Sequence, residues 1–582
     1  MRFVLAAVLA ALCACSIPPK ANEPKAGATT QQSAAFVRFV DAYFDAANAW
    51  NPTNAVSNGF HEYDGRIEDR SAAAHEARIA LLKTQSEELA ALRRQALAPE
   101  EAIDAELIES AIQSELLSAE TLAEWKSNPM RYAGFPGGAV DVLMKRNFAP
   151  PPERLKSMVA RMKGIPALMA AMKANVENPP KEFTDIAVLM ANGSISFFKN
   201  AVAQWAKGAA GGDTALWQDF QVANATAVKA LEDGAGWLRK DLLPRSKGKY
   251  AIGSEMYAKA LLYDEMIDLP LDRVLAIGEA NLAKDYQAFV ATAKEIDAKK
   301  PPMEVMRGIT NEHPSEATLL RDAKNTIEAT RQFLADHKIV TVPSEVRPTV
   351  TETPPFARDG SFASMDTPGA YETKATEAFY YVTPPETDWP QKRKEEHLRL
   401  YNPPVMKMIT VHEAYPGHYL QFLFAKQFPT KTRKLMFCGS NVEGWAHYAE
   451  QMMVEEGFGE KSPQIRLAQL KEALIRDCRY VAGIKLHTAG WTVEQATKLF
   501  MEKAFEEREV AFQEARRGAY NPTYLYYTLG KLMIYKLRAD YQREQGAAYS
   551  MQKFHDEFVR QGGVPLKIVR KLMLKDGSGG VL

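Results

Sequence analysis

The segment His412-Glu413-Ala414-Tyr415-Pro416-Gly417-His418 constrains this chain more than any other. Two imidazoles with a carboxylate beside the first are the usual parts of a catalytic zinc site, most often H-E-x-x-H on one helix face. Here the histidines stand at i and i+6. At about 100° per residue, six steps turn roughly 600°, so a straight helix sends the two rings to different faces. Pro416 offers the way out. It lacks an N–H, and its ring clashes with the carbonyl of His412, four residues back. Gly417 can then take a conformation closed to other residues. The expected result is a kink or bulge that loops out two residues and returns His418 to the side of His412. The plainer alternative is a helix that stops at Pro-Gly and leaves two surface histidines. The chain has only ten histidines and this pair encloses a Glu, which favours the metal reading.

A catalytic zinc takes three protein ligands and keeps one position open. The third ligand is expected at Glu443, in the segment Asn441-Val442-Glu443-Gly444-Trp445-Ala446-His447. Glu443, His447 and Glu450 share one helix face, so His447 or Glu450 can orient a ligand from behind. Glu413 need not touch the metal. It is placed to take a proton from water and pass it to a leaving amine. A donor for the developing oxyanion is expected from His487 or from the tyrosines of residues 520–527, among them Tyr524 and Tyr527. A cluster of tyrosines is more often core packing, but four within eight residues leave many hydroxyls to satisfy.

Lys+Arg and Asp+Glu are equal at 72 each, which gives no support for nucleic-acid binding. The start of the chain, Arg2 followed by the apolar run Phe3 to Leu12, reads as a secretory signal too short to span a bilayer. Leu12-Cys13-Ala14-Cys15 resembles a bacterial lipobox, with 1–14 as signal, Cys15 as the lipidated residue and 15–34 as a tether. Ordinary signal cleavage near Ala14 is the alternative. No later stretch holds about 18 uninterrupted apolar residues, so membrane contact is expected only through the lipid. The expected location is exported, facing the periplasm or outer membrane. Cys438 and Cys478 lie in apolar helical sequence and are expected as buried free thiols.

Residues 35–300 read as a helical N-terminal lobe, with helical periodicity over Ala74–Leu97, Ile103–Leu122, Ser157–Val176 and Ala225–Leu243. Breaks are expected at Asn128–Pro136, Ala149–Pro152, Pro179–Pro180 and Leu243–Tyr250. Residues 301–582 read as the metal-binding lobe. Within it Val350–Thr353 and Ala378–Thr383 read as short strands whose edge could pair with an extended peptide. Pro403-Pro404 is expected to open the metal helix. Asn441 is expected to cap a helix from Val442 to about Glu456, ended by Gly457.

HEAYPGH, EGWAHYAEQM, IKLHTAGWTVEQA, YTLGKLMIYKLR, FHDEFVRQGGVPL and the early NGFHEYDGRIEDRS together resemble the bacterial domain-of-unknown-function 885 family, over about residues 35 to 575. That family is similar to the gluzincins, zinc peptidases whose third ligand is a downstream Glu. The resemblance implies His412, His418 and Glu443 as ligands of one Zn²⁺ and Glu413 as base. It also singles out His487, Tyr527 and Arg538. Tyr524 and Arg538 are expected as substrate contacts, although the residues around Thr523 depart from the family's pattern before the tyrosine. It implies a mainly α-helical, metallopeptidase-like fold around a deep channel, with a small sheet near the metal helix. The expected function is a zinc-dependent peptidase of short peptides. Two alternatives stand beside it: a non-catalytic, metal-containing peptide-binding lipoprotein, and a zinc esterase or amidase.

Overall fold

Helical periodicity in the sequence becomes helix in the structure, a computed structural model that describes residues 33–582 except 355–357, 359–361 and 578. The signal 1–14, Cys15 and the tether up to residue 32 lie outside the described residues. Ser33 and Ala34, the expected end of the tether, already start a helix: Ser33 caps Ala34–Trp50 by accepting from the Phe36 amide.

The four expected N-terminal helices are present with shifted ends, at Ala72–Arg93, Pro99–Leu116, Pro151–Asn175 and Thr214–Trp237. The third begins at Pro151, six residues before Ser157, because a proline in the first turn forgoes only an amide that has no helical partner. It also runs through Pro166. The Pro151–Asn175 and Thr214–Trp237 helices share a core of Met158, Met162, Met169, Met172, Phe220 and Leu231. The stretch Lys181–Ala209 is long and apolar enough to cross a membrane by length and composition, although polar residues interrupt its apolar runs. Here its Ala187, Ala191, Phe197, Phe198 and Val202 pack into that same core.

Packing runs across residue 300. Leu282, Phe289 and Ala293 of the Leu271–Ile296 helix share a core with Leu467, Leu474 and Val481 of the Pro463–Thr488 helix. The early segment around His61 is tied to the second half as well. His61 Nδ1 lies 3.0 Å from Asp64 and Nε2 lies 2.9 Å from Glu372.

The sheet has three strands: β1 (Thr349–Glu352), β2 (Ala363–Asp366) and β3 (Phe379–Val382). β3 is central, parallel to β1 and antiparallel to β2, with Tyr380 opposite Val350 and Met365. β2 had no clear signal in the sequence. β3 is mostly buried, and the Tyr380 hydroxyl meets Thr410 Oγ1 of the metal helix at 3.3 Å. The sheet thus backs the helix that carries His412 and Glu413.

Candidate metal centre

The helix that carries His412 and Glu413 spans Pro403–Glu413. Asn402 starts it, its side-chain oxygen accepting from the Val405 amide at 3.2 Å, with Pro403 and Pro404 in the first turn. The break after Glu413 is larger than a two-residue bulge. The helix ends, residues 414–417 form a loop, and a second helix runs His418–Leu423. The Tyr415-Pro416 peptide is cis. The Gly417 amide reaches back six residues to the Val411 carbonyl at 3.0 Å. Gly417 has φ −66° and ψ −136°, and a Cβ on it would lie 1.7 Å from the His412 carbonyl oxygen. Only glycine fits there. Trp445 of the neighbouring helix holds the loop from outside, its indole N–H donating to the Pro416 carbonyl at 2.8 Å.

This loop brings the two imidazoles together, with ring centroids 4.9 Å apart and planes nearly perpendicular. Ligand atoms of His412, Glu413 and His418 lie within 4.8 Å of one another. Glu443 arrives on the Gly439–Glu455 helix. Its Oε2 stands 3.3 Å from His412 Nε2 and 3.4 Å from His418 Nε2. With bonds of 2.0–2.1 Å to a tetrahedral zinc, ligand atoms would be separated by about 3.3 Å. Glu443 Oε2 is buried with no hydrogen-bond partner among the described residues. Such an atom is costly unless a cation serves it. These residues therefore fit a divalent ion.

The electrostatics point the same way. Burial pulls the His412 imidazole down, but Glu443 and Glu450 more than offset it and hold it up at about 10. Burial alone would raise Glu443, yet the two imidazoles keep its carboxyl well below the usual range. Both shifts come from the close approach of carboxylates to imidazoles at one point. Glu413 is raised by burial, against the pull of His418 and His412, a direction that suits a group accepting a proton near neutral pH.

Behind His412 stands Glu450, whose Oε1 lies 2.6 Å from His412 Nδ1. Arg476 lies 3.2 Å from the same oxygen, and His447 Nδ1 is 3.4 Å from the other. Burial and Lys531 lower His447 to about 3, so it is neutral. A carboxylate on the far nitrogen fixes the tautomer and ring angle of a metal-ligating histidine.

Tyr527, on the Tyr526–Gln545 helix, donates to Glu443 Oε1 at 3.3 Å and accepts from Arg517 Nη2 at 3.1 Å. Burial and the Glu443 charge keep its phenol protonated, hence a donor. The ligand helix and the tyrosine helix meet backbone to backbone, since a Cβ on Gly444 would lie 2.5 Å from Gly530 Cα.

Three other expected residues lie in different surroundings. His487 is buried, with Nε2 2.8 Å from the Gly518 carbonyl and its ring against Tyr250 and Tyr257. Burial lowers it and keeps it neutral. Tyr524 is fully buried, its hydroxyl donating to the Glu514 carbonyl at 3.4 Å. Arg538, half-buried, donates to the Tyr448 hydroxyl at 2.8 Å, and that hydroxyl meets the buried His555. The helix boundary expected at Asn441 also differs. The helix starts at Gly439, and Asn441 instead donates to the Gly562 and Val564 carbonyls. The first turn is served by Glu265, which accepts from the Ser440 amide at 2.9 Å and from the Cys438 thiol at 2.7 Å. Cys438 and Cys478 are buried and free.

Sequence reasoning missed Arg476, Arg479 and Arg517. The first two stand three residues apart on one helix face, but Glu472 one turn before Arg476 makes them read as an ordinary surface ion-pair stripe.

Comparison with known proteins adds the lineage. The profile of bacterial proteins of unknown function designated DUF885 matches residues 52–573. A candidate lipoprotein of unknown function from Shewanella oneidensis is 28% identical, with a TM-score of 0.77 over 93% of this chain and 100% of its own. A candidate lipoprotein from Colwellia psychrerythraea has the same fold at 18% identity, with a TM-score of 0.76 over 92% of this chain and 98% of its own. No protein of curated function matches the chain.

Proposed function

For this chain, which belongs to the DUF885 family of bacterial proteins of unknown function, we propose a zinc-dependent hydrolase, a peptidase acting on short peptides. One observation carries the reading: Glu443 Oε2 meets the Nε2 atoms of His412 and His418 at 3.3 and 3.4 Å and has no other partner among the described residues.

His412, His418 and Glu443 would hold the ion, as the gluzincin-like pattern implies. When bound, zinc supplies a Lewis acid that makes water a nucleophile at neutral pH and polarises a carbonyl. The remaining work falls to the chain. Glu413 takes a proton from the attacking water and returns it to the leaving amine. Tyr527, held protonated, turns its hydroxyl from Glu443 towards the developing oxyanion. Glu450, braced by Arg476 and His447, keeps His412 in one tautomer and one orientation. The non-catalytic alternative leaves Glu413 without a task, since a structural zinc site fills all four positions and needs no base.

Glu413→Gln tests this. Peptide hydrolysis is expected to fall on the order of 10² or more while zinc content stays near one per chain. Single His412→Ala and His418→Ala variants should lose the metal. Near-normal turnover by Glu413→Gln, or full zinc in both histidine variants, would overturn the assignment.

The lipobox-like Leu12–Cys15 segment and the candidate-lipoprotein relatives support an exported chain anchored through Cys15, facing the periplasm or outer membrane. Cys15→Ser should move the protein from membrane to soluble fractions or leave an uncleaved precursor. A wild-type protein already soluble in the periplasm would point to ordinary cleavage.

A further inference from the structure

Three arginines crowd one face of the centre. The guanidinium carbons of Arg476, Arg479 and Arg517 lie 5.9, 5.0 and 6.0 Å from the Tyr527 ring centroid. Two are matched. Arg476 pairs with Glu450 at 3.2 Å and Glu472 at 2.7 Å, and Arg479 forms a two-pronged pair with Glu514, both contacts 2.7 Å. Arg517 is not. Among the described residues no carboxylate lies within 4.0 Å of it, and its one side-chain hydrogen bond runs to the Tyr527 hydroxyl at 3.1 Å. A guanidinium has five N–H donors in a rigid fork. This one is half-buried, beside two other cations, with one donor used. The arrangement suits an arriving anion that takes two parallel hydrogen bonds.

The position of Arg517 says which anion. Tyr527 Oη stands between Arg517 Nη2 and Glu443 Oε1, at 3.1 and 3.3 Å. The fork is therefore two hydrogen bonds from the carboxylate that faces the metal. Successive Cα atoms of a peptide are about 3.8 Å apart, so this gap is the reach of one or two residues. We propose that Arg517 receives the α-carboxylate of a peptide whose scissile carbonyl lies at the metal centre. The protein would then release short C-terminal fragments, one or two residues long. The inference rests on the peptidase reading above and specifies its substrate class. It also separates two uses of Arg517. As a carboxylate receptor it discriminates between substrates. As a mere support for Tyr527, or as a cation near the C-terminus of the Arg508–Tyr520 helix, it affects all substrates alike.

The test uses zinc-loaded protein and matched peptides that end in a free carboxylate or an amide. Wild type should favour the acid in kcat/KM on the order of 10²-fold, well below the limit for sites built wholly around one polar group, because Arg517 is partly open to water. Arg517→Met should bring the acid-to-amide ratio in kcat/KM close to one, whatever it costs both substrates through Tyr527, with Arg517→Lys recovering part of the preference. A third set, amidated peptides with Glu as the last residue, distinguishes an α-carboxylate from a side-chain carboxylate. Equal turnover of these and the free acids would overturn the α-carboxylate assignment. Equal wild-type rates on acid and amide, or equal losses on both in Arg517→Met and Arg517→Lys, would overturn the receptor role. Calorimetric binding of the same peptides to Glu413→Gln keeps the two proposals apart. Acid-over-amide binding that depends on Arg517, without hydrolysis by wild type, would sink the peptidase and keep the receptor. Hydrolysis without that discrimination would do the reverse.

Discussion

Replacing Gly417 with alanine adds one methyl group at the point where the metal loop folds back on its own helix. The new Cβ would stand 1.7 Å from the His412 carbonyl oxygen, 2.4 Å from the His412 carbonyl carbon and 2.5 Å from the Val411 oxygen. All three are backbone atoms, so no rotamer change relieves the contact. Side-chain carbons are essentially never found within 3.0 Å of such neighbours, and the nearest atom must retreat by the difference, about 1.3 Å. His412 itself carries that atom, and His418 follows Gly417 directly, so the shift falls between the two imidazoles. A displacement near 1 Å at a site of this kind costs on the order of 10²-fold in function, and loss of a ligand's support costs 10–100-fold in metal affinity. Zinc affinity of Gly417→Ala should therefore fall by about tenfold to a hundredfold, read from dissociation constants by chelator competition. Gly193→Ala is the control, because a Cβ there meets nothing within 4 Å. Pro416→Ala should cost less than Gly417→Ala, since the clash belongs to residue 417. A Gly417→Ala protein that binds zinc as tightly as wild type would refute the view that this loop sets the distance between the ligands.

Glu450→Gln keeps shape but removes the charge behind His412. Zinc affinity should drop about 10–100-fold, and metal titration would detect it, with an unchanged constant counting against a supporting role. The His61 bridge should show in the pH dependence of stability. Its hydrogen bond to Asp64, opposed by burial and helped by Glu372, raises the His61 pKa. The stabilisation is then complete below the ordinary value of about 6.5 and disappears as pH rises through the raised one. Glu372 is pulled down by the Lys374 and Ala375 amides and His61 against the effect of burial, so its share is present above about 4.5 and disappears as pH falls through the lowered value. The melting-temperature gap between wild type and His61→Gln should be wider at pH 6 than at pH 9. An equal gap at both would rule this bridge out as a source of pH-dependent stability.

What could be read from the sequence was what lies close together in it. His412, Glu413 and His418 sit within seven residues, and Glu443 follows on the next long helix. The Pro-Gly signal correctly marked a break, but not its size, because the Gly417 amide bond to Val411 closes a loop that local propensity does not encode. Asn441 had the chemistry of a cap and lost that place to Glu265, a carboxylate 175 residues upstream of Ser440. The β2 segment has no strong alternation and exists because β3 lies beside it. Tyr524, His487 and Arg538 resembled site residues by type, and in the fold their polar atoms meet the Glu514 carbonyl, the Gly518 carbonyl and the Tyr448 hydroxyl, partners that sequence could not supply. The arginine face comes from two helices, Pro463–Thr488 and Arg508–Tyr520, that meet only in the folded chain, so its members could not be grouped beforehand.

The contact between Gly444 and Gly530 fixes one dimension of this pocket. No side chain separates the helix bearing Glu443 from the helix bearing Tyr527, and a Cβ on Gly530 would lie 1.9 Å from the Ser440 carbonyl. The spacing between ligand and phenol is thus written in bare backbone. The joint has no soft side chain to yield, so a methyl group at either glycine would part the two helices and carry Glu443 and Tyr527 away from each other.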